Sequence, residues 1–66
     1  MQISLKAARV NAEMTQKQAA KEIGVDASTI VSWESGKTSP KVFHLQALCN
    51  LYGISMDNIF LRQKSS

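Results

Sequence analysis

The chain has 66 residues, with eight Lys and Arg against five Asp and Glu, a formal charge of +3 and a pI of 9.4. A single domain of this length buries only about 60% of its unfolded surface, so its margin of stability is thin. One cysteine, Cys49, and one histidine, His44, exclude an internal disulfide and a metal cluster, leaving well-packed helices to supply the stability. Apolar runs are too short for a transmembrane helix or a signal-peptide core. The unpaired Cys49 fits a reducing compartment, the cytosol. The mild basic bias points toward a polyanionic partner.

Taken in chain order, Leu5, Ala8 and Ala12 recur at helical spacing and predict a first helix from about Ser4 to Ala12, with Ser4 as N-cap. Thr15 and Gln18 form a capping-box pair that starts a second helix, which stops at Ile23 before Gly24. Asp26 reads as the N-cap of a third helix ending before Gly36. The polar run GKTSPK, holding Pro40, is the one clear loop signal. A fourth helix is predicted from Lys41 to Tyr52, with Val42, Leu45, Leu48, Cys49 and Tyr52 on one stripe. Ser55 caps a short fifth helix, Met56 to Leu61, anchored by Ile59 with Phe60 as a second candidate anchor. No stretch alternates with period two for long enough to argue a strand, so the expected fold is all-α, five helices in one domain over residues 1–61. Residues 62–66 read as a polar, fraying tail. The expected core is Leu5, Ala20, Ile23, Val25, Ile30, Trp33, Leu45, Leu48, Tyr52 and Ile59.

The segment from Gln16 to Ser35, QKQAAKEIGVDASTIVSWES, carries the most information. Ala20 follows Gln16 by four residues and Gly24 follows Ala20 by four, with apolar residues at Ala19, Ile23, Val25, Ile30 and Trp33. This describes two short helices joined by a turn too tight for bulk at Ala20 or Gly24. It is the layout of a helix-turn-helix, whose second helix lies in a DNA major groove. The outward residues of that helix are expected at Ala27, Ser28, Thr29 and Ser32, with Val31 on the flank. All are short, so none can make the bidentate fork by which arginine or glutamine discriminates bases. The serines and Thr29 can bond a base edge singly, and Ala27 and Val31 can meet a thymine methyl; plain helix-surface filler is the alternative for Ser28 and Thr29. Gln16 opens the second helix, where free backbone N–H groups can hold a phosphate, or it is simply a polar first-turn residue. Lys17 and Lys41 are further phosphate candidates, or solvated lysines.

The stretches MTQKQAAKEIGVDASTIVSWESGKTSP and LQALCNLYGISMDNIF together resemble the lambda-repressor-like helix-turn-helix domain of the Cro and CI type, the XRE family. The likeness runs from about Leu5 to Phe60. It implies a compact five-helix domain that binds operator DNA, commonly as a two-fold dimer, and most such proteins repress transcription in phages, mobile elements and bacterial chromosomes. It also implies that Gln16 contacts a phosphate and that Lys37 and Thr38 form a second backbone clamp. Arg9 and Glu34 would make a largely buried ion pair. The chain departs from better-known relatives in lacking glutamine or arginine on the third helix, so modest direct readout is expected, helped by Gln16, by water and by DNA shape.

The remaining conspicuous residues read as structural. Trp33, Tyr52 and Cys49 fit packing positions, and His44 a solvent face. Glu13, Glu22 and Asp57 form no acid–base constellation, and no nucleophile with a base, phosphate-cradling glycine loop or metal-ligand spacing appears, so neither an enzyme nor a cofactor is expected. The leading expectation is a DNA-binding regulator, a homodimer in the bacterial cytosol or nucleoid with recognition helices about 34 Å apart. Its dimer surface would be Ile59, Phe60 and Leu61, or else the loop from Ser39 to Val42, unless Phe60 and Leu61 complete the monomer core. The alternative is a protein-binding module on the same scaffold, an antitoxin holding a toxin or an antirepressor. A chain closing after the fifth helix would have no effector domain, which places control in concentration or partners.

Overall fold

The computed structural model describes residues 2–61, so the tail expected at 62–66 lies outside the described residues. The order is β1 (Ile3–Ser4), α1 (Leu5–Asn11), α2 (Gln16–Ile23), α3 (Ala27–Ser35), α4 (Val42–Tyr52), a 3-10 turn (Met56–Asn58) and β2 (Ile59–Phe60). The fold is mostly helical, with four α-helices among the described residues rather than five.

Local chemistry sets most boundaries. The Ser4 hydroxyl accepts from the Ala7 N–H at 3.0 Å and starts α1. At α2 the capping box closes both ways: Gln18 N–H donates to Thr15 Oγ1 at 3.0 Å, and Thr15 N–H donates to Gln18 Oε1 at 2.9 Å. Asp26 occupies the N-cap position of α3, but its side chain makes no capping bond. Gly24 ends α2 with φ 78, and Val25 N–H reaches back to the Ala20 carbonyl at 3.0 Å. A Cβ at Gly24 would meet nothing within 4 Å. Glycine is therefore favoured there by backbone conformation and not by crowding, which corrects the expectation of a turn too tight for bulk at Gly24, while Ala20 is buried in the core.

Glu13, between α1 and α2, takes a left-handed φ of 58 without being glycine. Such a conformation is strained for a residue with a Cβ. Glu13→Gly is expected to stabilise the domain by about 0.5–1 kcal/mol, raising Tm by roughly 2–8 °C. A thermal melt followed by circular dichroism checks this, and an unchanged or lower Tm would count against it.

The predicted fifth helix is a single 3-10 turn that passes directly into β2. Asn58, Ile59 and Phe60 are poor helix formers, and Ile59 is extended, with φ −103 and ψ 132. Its backbone pairs in parallel with β1, Ile3 opposite Ile59 and Ser4 opposite Phe60. The expectation of no strand is thus corrected: two residues at each end of the domain pair with one another, too short for any alternation to be visible.

The core unites Leu5, Ala8, Ala20, Ile30, Trp33, Leu48, Cys49 and Ile59, with Ile23, Val25, Ala27, Leu45, Tyr52 and Leu61 half-buried against it. Ala8 and Ala20 are small where α1 and α2 pack inward. Val42, placed by periodicity on the inner stripe of α4, is 74% exposed. Pro40 is buried just before the helix starts, and inward packing resumes only at His44 and Leu45.

Candidate functional site

Three helices meet at one polar knot. Arg9 of α1 donates from Nε to Glu34 Oε2 at 2.7 Å and from Nη2 to Glu34 Oε1 at 3.2 Å. Its remaining Nη1 donates to the Met14 carbonyl at 2.8 Å. Gln16, opening α2, donates from Nε2 to Glu34 Oε1 at 3.0 Å. The Arg9 and Glu34 side chains are only 10% and 5% exposed. A fork of this kind keeps both charges hydrogen-bonded when water is removed. Among the described residues no buried side-chain polar atom lacks a partner. The hydrogen bond to Glu34 raises the Arg9 pKa further above its already high ordinary value.

Burial, followed by the negative charge of Glu34, pushes the Tyr52 phenol up to about 12, while Arg9 acts in the opposite direction. A phenol whose folded pKa exceeds its unfolded value of about 10 favours folding fully below pH 10, and that contribution is lost as pH climbs toward 12. Alkaline melts should therefore show Tm falling between pH 10 and 12, less steeply in Tyr52→Phe. Equal slopes for the two proteins would remove Tyr52 from the cause.

The knot fixes α3 relative to α2 and leaves one edge of α3 uncovered. Ser28, Val31 and Ser35 are exposed, and Ser32 is half-buried between them. Their spacing of three and four residues is one helical stripe. Thr29 is half-buried, and Ala27 is half-buried against the core. Ala27 thus does not share the outward orientation expected of it, because the rotation of α3 is set by the burial of Ile30 and Trp33, whose inward side it extends.

An open depression beside this edge is lined by Lys6, Gln16, Val31, Glu34 and Ser35. It brings together Gln16 and Val31, which the sequence singled out, with Lys6 and Ser35, which it did not. Lys6 precedes Arg9 by one turn of α1 and so shares its side, a signal that was available. With Gln18 N–H taken by Thr15, the first-turn N–H groups of Gln16 and Lys17 remain as donors at the positive end of α2. Lys17, Lys37, Thr38 and Lys41 are all exposed. Lys37 and Thr38 follow α3 directly, their N–H groups bonded to the Ser32 carbonyl at 3.0 and 3.4 Å. Lys41 is the N-cap of α4, with no side-chain bond there.

Two expectations are corrected at α4 and β2. His44 is half-buried, its ring centroid 5.1 Å from that of Trp33 and 4.1 Å from that of Phe43, rather than on a free solvent face. Of the apolar trio offered as a dimer surface, Ile59 is buried and Leu61 packs on the core, leaving Phe60 exposed. Val42 and the 65%-exposed Phe43 form an exposed apolar pair at the start of α4.

Residues 5–59, spanning all four helices, match the helix-turn-helix family model. The chain belongs to that family, of the Cro/CI type. In this helix-turn-helix domain α2 and α3 form the two-helix unit, with Gly24 in its turn. The chain is also 31% identical, over 61 residues, to an uncharacterized HTH-type transcriptional regulator of Methanocaldococcus jannaschii, with 92% of each chain covered. No solved structure matches.

Proposed function

We propose that this protein is a sequence-specific DNA-binding regulator of transcription, a repressor that places α3 in the major groove of an operator. The observation that carries the reading is the uncovered stripe of α3, Ser28, Val31, Ser32 and Ser35, held by a buried three-helix knot beside Lys6 and Gln16. Phosphates would be held by Gln16 and the first-turn N–H groups of α2, by Lys6 and Lys17, and by Lys37, Thr38 and Lys41. Base reading falls to Ser28, Val31 and Ser32, with Thr29 and Ala27 contributing from the shoulder of the helix. A homodimer on a near-palindromic operator, in the cytoplasm, completes the proposal. Half-sites about 34 Å apart would bring both copies to one face of the DNA.

The test is a titration of operator-like and random duplexes at two salt concentrations. A regulator that neutralises Z phosphates should lose affinity with a log–log slope of about −0.9 per phosphate and keep a preferred site. Lys37→Ala should weaken all duplexes alike and reduce the slope by about one. A salt-insensitive protein without a preferred duplex would instead support the second reading, a protein-binding module such as an antitoxin or antirepressor. The exposed Val42 and Phe43 favour that reading.

A further inference from the structure

The uncovered stripe of α3 contains one apolar side chain among hydroxyls. Val31 is 45% exposed in the middle of the helix, while Ile30 and Trp33 beside it are buried. Folding does not account for it. A β-branched residue at an exposed helix position is a poorer helix former than alanine. Its setting is specific: Val31 borders the depression shared with Lys6, Gln16, Glu34 and Ser35, with Ser28 one turn before it and Ser35 one turn after.

Resting on the regulator reading above, we infer that Val31 is a specificity-determining residue that recognises the C5-methyl group of a thymine. In the major groove thymine presents an O4 acceptor and that methyl group, whereas cytosine presents an N4 donor. A serine hydroxyl both donates and accepts, so Ser28, Ser32 and Ser35 can each bond several bases and separate them weakly. The Val31 isopropyl has no such latitude. It gains only where an apolar group meets it, and the methyl is the sole apolar projection from a natural base pair's major-groove edge. Phosphates held at Lys6 and the start of α2, where Lys6 and Gln16 line the same depression, would set how deeply α3 sits. The reading is therefore by methyl group, and 5-methylcytosine would satisfy it as thymine does while uracil would not.

The experiment begins with duplexes selected from a random pool by the full chain. Each thymine of one half-site is then exchanged in turn for deoxyuridine, which removes the methyl alone, and binding is followed by fluorescence anisotropy for wild type and Val31→Ala. One thymine should emerge whose exchange weakens wild-type binding about fourfold, the value of one buried methyl group, and leaves Val31→Ala unaffected. Cytosine placed there should bind wild type better when 5-methylated, by a similar factor. Alanine is the better helix former at this exposed position, so the variant retains its fold, which a melt verifies. The inference is overturned by a preferred half-site lacking thymine, by one indifferent to every exchange, or by a methyl effect that persists in Val31→Ala. Each of those outcomes leaves DNA binding intact; a pool yielding no preferred duplex would overturn the regulator reading with it.

Discussion

Replacing Glu34 with alanine is expected to cost about 3–5 kcal/mol, because the change strands the Arg9 guanidinium in the interior without its carboxylate. The near-complete burial of both side chains separates this pair from surface ion pairs, which contribute about 0–1 kcal/mol. Glu34 also accepts from Gln16, so the change releases the start of α2 as well as α1. Stability of about 0.05–0.15 kcal/mol per residue gives a chain of this length roughly 3–10 kcal/mol, so such a loss removes a large part of it or all of it. Thermal melts should show Tm lowered by more than 10 °C, at roughly 4–8 °C per kcal/mol, or no cooperative transition. Substituting both partners by apolar residues of similar volume should recover much of the loss, since no charge is then stranded. A Tm for Glu34→Ala equal to wild type would show that the knot is not holding the helices.

Ile30→Ala is expected to be nearly as damaging, at about 2–5 kcal/mol. Ile30 is 1% exposed, so truncation opens a cavity at the centre of the core. It also loosens the one residue that, with Trp33, fixes the rotation of α3. Urea denaturation should give a lower midpoint with an unchanged slope, and DNA affinity should fall even where the variant remains folded. A loss below about 1 kcal/mol would mean that neighbouring side chains collapse into the space more completely than a tightly packed interior allows.

How much of this was legible depends on the range of the interaction. The Thr15–Gln18 box and the stop at Gly24 are written within a few residues, and the boundaries of α2 follow directly. Arg9 and Glu34 stand 25 residues apart, and nothing in their spacing joins them; only family resemblance put them side by side. The engagement of Gln16 with Glu34, 18 residues away, leaves no mark in the sequence either, whereas Lys6 in the adjoining depression is marked by its place one turn before Arg9. Helical periodicity finds Trp33 and Leu48 but misplaces Val42, which opens α4 two residues after the buried Pro40 and stays exposed. The place of Ala27 near the N-terminus of α3 suggests an outward side chain, whereas the angle of a helix about its own axis is decided by its heavier neighbours.

The pairing of Ile3 with Ile59 has a consequence for how the protein is made. Ile3 acquires its strand partner only when position 59 has left the ribosome, so that edge of the domain stays open in the meantime. Synthesis at about 5–20 residues per second leaves several seconds in that state. Isolated short helices are marginal in water, so the early part of the chain would have little structure of its own to protect it. Completion of the fold thus waits on the arrival of a two-residue strand from far downstream in the sequence.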